Sequence, residues 1–204
     1  MLRKIINKIE IESFCELFIH KMTTTASNIQ AERAFRQNVR NYRSQMRQFI
    51  MTSRFNSQTL RENRNFRDKN SKIGCIYCSP DPIARAIPIE SIMFILEMNN
   101  DTNTIEGIGM VRNHPYPNKY CVYENGNYNR YAYMGKYRID RREMTEEEEN
   151  IMTVFDVLCF TGNKHMKRGQ GLKAFPAETL YRCNRTLDLV NFIGNMFKCR
   201  MIDK

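Results

Sequence analysis

The chain has 204 residues, 42% of them hydrophobic, enough for one domain with a real core, which excludes a wholly disordered polymer. Thirty-two Lys and Arg against twenty-two Asp and Glu leave a net charge of +10, a balance that suits an anionic partner such as nucleic acid. Seven scattered cysteines, with no secretory signal expected before them, fit free thiols in a reducing compartment better than a disulfide framework.

Residues 2–22 place Leu2, Ile5, Ile6, Ile9, Leu17 and Phe18 at mostly helical spacing, which predicts a short amphipathic helix. Lys4, Lys8, Glu10, Glu12 and Glu16 interrupt its apolar face, so no membrane span is expected and the chain reads as intracellular. Ser27, with Gln30 three residues on, has the pattern of a capping box opening a second helix over residues 28–50.

In that second helix Phe35, Val39, Tyr42, Met46 and Phe49 recur at alternating steps of four and three. Arg33, Arg36, Arg40, Arg43 and Arg47 keep the same rhythm one face over. An apolar stripe beside an arginine stripe lets a helix dock on a surface while it presents guanidinium groups to an anion. It is equally the pattern of a solvated face whose arginine stems cover apolar neighbours. Arg54, Arg61, Arg64, Arg67, Lys69 and Lys72 extend the basic character through a polar stretch. Residues 1–70 therefore read as a basic helical N-terminal segment, and residues 71–204 as the main domain.

From Ser71 the periodicity changes. IGCIYC, IMFILEM, TIEGIGMV, KYCVYE and RYAYMGKYRI are short, rich in β-branched and aromatic residues, and separated by turn signals. Five strands over residues 71–141 predict a small, curved antiparallel sheet or barrel, with Gly107 and Gly109 marking a bulge or sharp bend. Thr145 and Glu148 form a capping box for a third helix, and the acidic run EEEE suits its first turn. Ile151, Val154, Phe155, Leu158 and Cys159 give that helix a core face, and it should stop near Gly162. A last helix is expected from Thr186 to Arg200.

Two stretches carry candidate binding chemistry. The first is FTGNKHMKRGQGLKAFP, Phe160 to Pro176, whose Lys164, His165, Lys167, Arg168 and Lys173 surround Gly169 and Gly171. Glycines let backbone N–H groups converge on an anion, and the cations supply charge. The loop leaves a helix instead of a strand and has no Gly-Lys-Ser/Thr, so it is not a nucleotide-hydrolysing P-loop. Lys164, His165 and Gly162 are also explained as a helix stop, where cations meet the last carbonyls. The second stretch is YENGNYNRYAYMGKYR, in which Arg130 and Lys136 alternate with Tyr131, Tyr133 and Tyr137. Tyrosines beside cations on a sheet can stack and hold exposed bases, and they can equally pack across strands. Cys75 and Cys78 form a lone CxxC on opposite sides of a strand, so neither a metal nor a cofactor is expected. Glu97, Asp101, Glu106, Asp140 and Glu143 supply carboxylates in no special spacing, and no catalytic residue is assigned.

The order of short strands, the glycine-containing strand TIEGIGMV and the basic loop after a core helix resemble PUA-like domains, the superfamily of ASCH, EVE and YTH modules. Over residues 71–176 the resemblance implies a small PUA-like β-barrel with flanking helices, an α+β fold, that binds RNA or modified bases. The absence of Trp departs from the tryptophan cages of YTH modules and leaves at most a tyrosine or phenylalanine cage. ILEMNNDTNTIEGIGMVRN and FTGNKHMKRGQGLKAFP also resemble uncharacterised proteins of nucleocytoplasmic large DNA viruses. Abundant Asn, Ile, Lys and Met suit such an AT-rich source, and the expected location is then host cytoplasm, nucleus or virion.

The resulting expectation is a nucleic-acid-binding protein, of RNA or single-stranded regions. Lys164, His165, Lys167, Arg168, Gly169, Gly171, Lys173, Arg130 and Lys136 would hold phosphates, and Tyr131 or Tyr133 would stack a base. Arg36, Arg40, Arg43 and Arg47 would add sequence-independent affinity. The alternative is a viral assembly protein that docks a protein partner on the apolar stripe of residues 28–50. A nuclease or nucleotide-processing enzyme ranks third.

Overall fold

The computed structural model describes residues 29–116 and 120–202. The helix expected at 2–22 and the Ser27 capping box lie outside the described residues.

Helix α1 spans Ile29–Gln45, and strand β1, Gln48–Phe55, follows it directly. Helix α2 is Ser57–Lys69, then come β2, Cys75–Ser79, β3, Ile92–Asn99, and β4, Thr104–Arg112. β5, Tyr131–Gly135, and β6, Tyr137–Asp140, precede helix α3, Glu146–Phe160. A two-residue strand β7, Lys173–Ala174, leads to α4, Ala177–Cys183, and α5, Leu189–Ile202.

Five strands form one sheet in the order β6-β4-β3-β1-β7, and β2 pairs with β5 in a separate two-stranded sheet. β1 and β3 run parallel, with Gln48 opposite Ile92 and Phe55 opposite Asn99. The other pairs are antiparallel.

Each strand of the central pair feeds two cores. Phe49, Met51, Met93 and Ile95 join the β2–β5 layer and α2, where Leu60, Ile76, Tyr77 and Tyr133 are buried. Ile50, Phe94, Leu96 and Met98 turn to the opposite face and pack against α3, α4 and α5 through Ile151, Phe155, Leu180, Ile193 and Phe197. The central sheet is thus the middle of three layers. A strand covered on both faces reads as a continuous apolar run without alternation.

The expected closed, PUA-like antiparallel barrel is corrected by this topology. The sheet is open, with β6 and β7 at its two edges, and its centre is a parallel pair. A barrel needs every edge paired around a closed circuit, and here the β2–β5 strands stack on the sheet as a layer instead of completing it. RYAYMGKYRI does not run as one strand, because it leaves one sheet and enters the other at Lys136. The transition brings backbones together: a Cβ on Gly135 would lie 2.0 Å from the Met110 carbonyl oxygen.

Residues 120–124 of the expected strand KYCVYE carry no ladder. The N–H groups of Val122 and Tyr123 instead donate to Asn129 Oδ1, at 3.1 Å each. The predicted 28–50 helix ends at Gln45, and its last apolar member, Phe49, belongs to β1. β1 pairs with β3, so the sheet crosses the domain boundary expected near residue 70.

Local signals decide the helix ends. The Thr145 side chain accepts from the Glu148 N–H, and Glu148 returns a carboxylate to the Thr145 N–H at 2.9 Å, as the sequence pattern predicts. α2 is capped by Asn56, whose Oδ1 takes the Thr59 N–H at 2.8 Å. Asp188 Oδ1 accepts the Asn191 N–H at 3.0 Å where α5 begins, slightly later than the expected Thr186.

Candidate nucleic-acid interface

α1 lies on the outside of the helical layer. The ring of Tyr181 on α4 sits 5.7 Å from those of both Phe35 and Tyr42, and the Arg182 guanidinium lies 4.3 Å over the Phe35 ring. The apolar stripe is therefore turned toward its own chain. Burial, with Asp188 and Cys183 nearby, pushes the Tyr42 phenol up to about 12.

The arginine row is left outward. Arg33, Arg36, Arg40, Arg43 and Arg47 are all exposed. Arg36 pairs with Glu32 at 2.8 Å and Arg40 bonds Gln37 at 2.8 Å, both within the helix. Helix rise places Arg33 and Arg43 about 15 Å apart along the axis.

The row runs toward a groove at the start of β1. Arg47 immediately precedes Gln48, which lines that groove of about 760 Å³. Phe94, Met110, Met134, Tyr137 and Phe197 give it an apolar lining, to which Lys72, Arg112, Lys136 and Lys198 add cations. Its carboxylate, Glu90, is held 2.6 Å from His114 Nδ1. Of these cations the sequence placed Lys136 in a candidate site and Lys72 only in a general basic run. The others are scattered through the chain, and only the fold gathers them.

The glycine-rich loop lies at the far end of β1, roughly 20 Å of extended strand away. Gly162 has φ +72° just past the α3 stop at Phe160, as the helix-stop reading predicts. Lys167 Nζ reaches Asn103 Oδ1 at 2.7 Å, and Lys173 is exposed in β7, opposite Thr52. Gly171 has φ +63°, and a Cβ there would lie 2.1 Å from Ser79 Oγ. Leu172 is buried, which draws the end of the loop into the core. Lys164 and Arg168 are exposed, and His165 is half-buried with its Nδ1 unpartnered among the described residues. Much of the loop sequence thus serves the route of the chain.

The tyrosine strand is divided between layers. Tyr133 is 1% exposed, and its hydroxyl accepts the Ile83 N–H at 3.2 Å, so a base has no access to its ring. Tyr131 is half-buried against the same core, while Tyr137 packs against the opposite one. Arg130 is exposed and bonds Asn127 at 3.3 Å. The fold therefore does not unite the expected site residues: Lys136 lies at the groove, Gly169 and Gly171 at a cleft at the other end of β1, and the arginine row on α1.

Glu97, Asp101, Glu106 and Asp140 are engaged in the fold. Glu97, 1% exposed, accepts from Tyr77 Oη and from Arg138 Nη2, each at 2.7 Å, and Arg138 also reaches Asp140 at 2.8 Å. Asp101 accepts the Ser57 N–H at 2.7 Å at the start of α2, and Glu106 pairs with Arg64 at 3.0 Å. Cys75 and Cys78 are both buried, and desolvation pushes each thiol up to about 12, away from thiolate chemistry. No helix among the described residues is long and apolar enough to cross a membrane.

Comparison of the chain with protein-family models, with curated proteins and with solved structures returned no match. With the open sheet, this removes the PUA-like assignment together with the RNA-binding and viral expectations that rested on it.

Proposed function

We propose that this protein binds nucleic acid without sequence preference, through the exposed arginine row of α1 and the cationic groove into which that row leads. The observation that carries the reading is the division of labour on α1. Its apolar stripe is turned to α4, while Arg33, Arg36, Arg40 and Arg43 on α1, and Arg47 just past its end, stay exposed, with Glu32 as their only ion-pair partner among the described residues. Guanidinium groups repeated along one line suit the repeated charge of a phosphate backbone, and each contact releases counterions. About 15 Å of helix matches roughly four phosphates along one strand of a duplex at ~3.4 Å each. The groove adds cations beside exposed apolar surface, the combination that holds unstacked bases.

Fluorescence anisotropy with single- and double-stranded oligonucleotides of mixed sequence, over a salt series, tests the reading. The expected result is tight binding at low salt, with log K falling linearly with log salt. Absent binding, or affinity indifferent to salt, would overturn it.

A further inference from the structure

The cleft at the other end of β1 has an electrostatic imbalance that the nucleic-acid reading does not use. β1 and β3 are parallel neighbours, and their C-terminal ends, Phe55 and Asn99, lie side by side in register. The crevice outside the carboxyl ends of parallel strands is where open sheets with helices on their faces commonly take ligands. Here that crevice is a cavity of about 590 Å³, walled by Arg54, Asn100, Glu62, Glu124, Tyr128 and the Gly169–Gly171 loop. Its size suits a small organic ligand.

Arg54 is the unusual member. Its guanidinium is half-buried and makes no ion pair among the described residues, although a buried charge is ordinarily matched by a counter-charge. Its bonds among the described residues go to two loop carbonyls, Met166 and Gly171, from Nε and Nη1. Burial lowers its pKa, and Cys159 nearby acts in the opposite direction. Gly169 lies against the guanidinium, its would-be Cβ 3.9 Å from the Arg54 Cζ. The backbone N–H groups of Gly169, Gln170 and Gly171 take no acceptor among the described residues.

The opposite need sits in the same wall. Asn100 gives its amide N–H to the Lys167 carbonyl at 3.2 Å, and its Oδ1 is buried with no donor among the described residues. Glu62 and Glu124 share the side-chain N–H groups of Gln58, at 3.0 and 3.2 Å, and keep acceptor capacity. The α2 N-terminus is not the anion site, because Asp101 already occupies it.

The geometry points to a binding site for a phosphate monoester of a polyol, with the phosphate on Arg54 and the Gly169–Gly171 amides and the hydroxyl groups on Asn100, Glu62 and Glu124. An oxyanion supplies the missing counter-charge, and hydroxyl donors satisfy the unpaired acceptor.

Isothermal titration calorimetry of the full chain with ribose 5-phosphate, adenosine 5′-monophosphate, inorganic phosphate and ribose tests this. Saturable binding of the two monoesters, at least tenfold tighter than of phosphate or ribose, is the expected result. Preference for the nucleotide identifies a base contact, and equal affinity identifies the sugar phosphate as the recognised unit. Arg54→Gln should weaken binding at least tenfold. Because Arg54 also ties down the loop, Gln170→Glu supplies a second variant. It places a carboxylate at an exposed position of the mouth and should weaken the monoesters severalfold at an unchanged melting temperature. No heat with either monoester at millimolar concentration would overturn the proposal, as would binding that Gln170→Glu leaves unaltered. Inorganic phosphate as tight as the esters would overturn the polyol assignment.

Discussion

Glu97 and Arg138 form a two-pronged ion pair inside the protein, with Arg138 Nε 2.9 Å from Oε1 and Nη2 2.7 Å from Oε2 of the carboxylate. It lies between the two sheets, because Glu97 on β3 and Tyr77 on β2 meet across the layer boundary at 2.7 Å. Breaking such a pair leaves an uncompensated buried charge. Arg138→Ala should therefore destabilise the fold by about 3 to 5 kcal/mol, read by urea denaturation. Replacing both partners, as Glu97→Leu with Arg138→Met, should cost clearly less than the sum of the single changes.

The same pair sets an acid limit. Burial works against the Glu97 carboxylate, but Arg138 outweighs it and holds the carboxyl below its ordinary value. Asp140, against Arg138, and Glu148, against Arg200, are lowered in the same way despite their own burial. A depressed folded-state pKa contributes stability above the unfolded value and loses it as pH falls through the folded one. Stability should hold from neutral pH down to about 5 and decline progressively below about 4. Asp156, raised by burial, opposes this trend. Chemical denaturation at a series of pH values checks it, and a stability that rises on acidification would contradict the assignment.

Gly109 and Tyr77 are a matched pair. A Cβ at 109 would lie 2.1 Å from the Tyr77 hydroxyl and 2.7 Å from ring carbons. Gly109→Ala should cost about 1 to 3 kcal/mol through overpacking. Because Tyr77→Phe removes the closest atom, the double variant should lose less than the two single losses combined, read as a coupling energy in a denaturation cycle.

Two loop glycines should respond differently to alanine. Gly162 and Gly171 both have positive φ, but a Cβ at 162 meets open space and one at 171 meets Ser79. Gly162→Ala should cost only the left-handed penalty of about 1 to 2 kcal/mol. Gly171→Ala should cost more and speed proteolysis within residues 162–172, measured by limited digestion.

For the arginine row, Arg40→Glu with Arg43→Glu should leave the melting temperature nearly unchanged, since both side chains are exposed. The salt dependence of oligonucleotide binding should flatten by roughly 0.7 to 0.9 per lost phosphate contact. An unaltered slope would place the contacts elsewhere.

What was legible in the sequence was local. The Thr145–Glu148 capping box, the Gly162 stop and the α1 stripe beside its arginine row each depend on residues within a turn or two of one another. β1 was not legible as a strand, because burial on both faces removed its alternation and let Phe49 continue the helical rhythm. α2 was missed because its capping box pairs Asn56 with Thr59 instead of a Glu or Gln. The candidate sites were legible only as residue types: glycines in KRGQGLK that suggested a phosphate cradle are partly accounted for by φ and by contact with Ser79.

By itself, then, the sequence determined the basic charge, the Thr145–Glu148 cap and the exposed arginine face, since these follow from composition and short-range spacing. Only the tertiary structure decided that the sheet stays open around a parallel pair, that Tyr133 is core, and that Arg54 makes no ion pair among the described residues. Each of these depends on contacts between residues distant in the chain, which pairing and burial select and local periodicity does not encode.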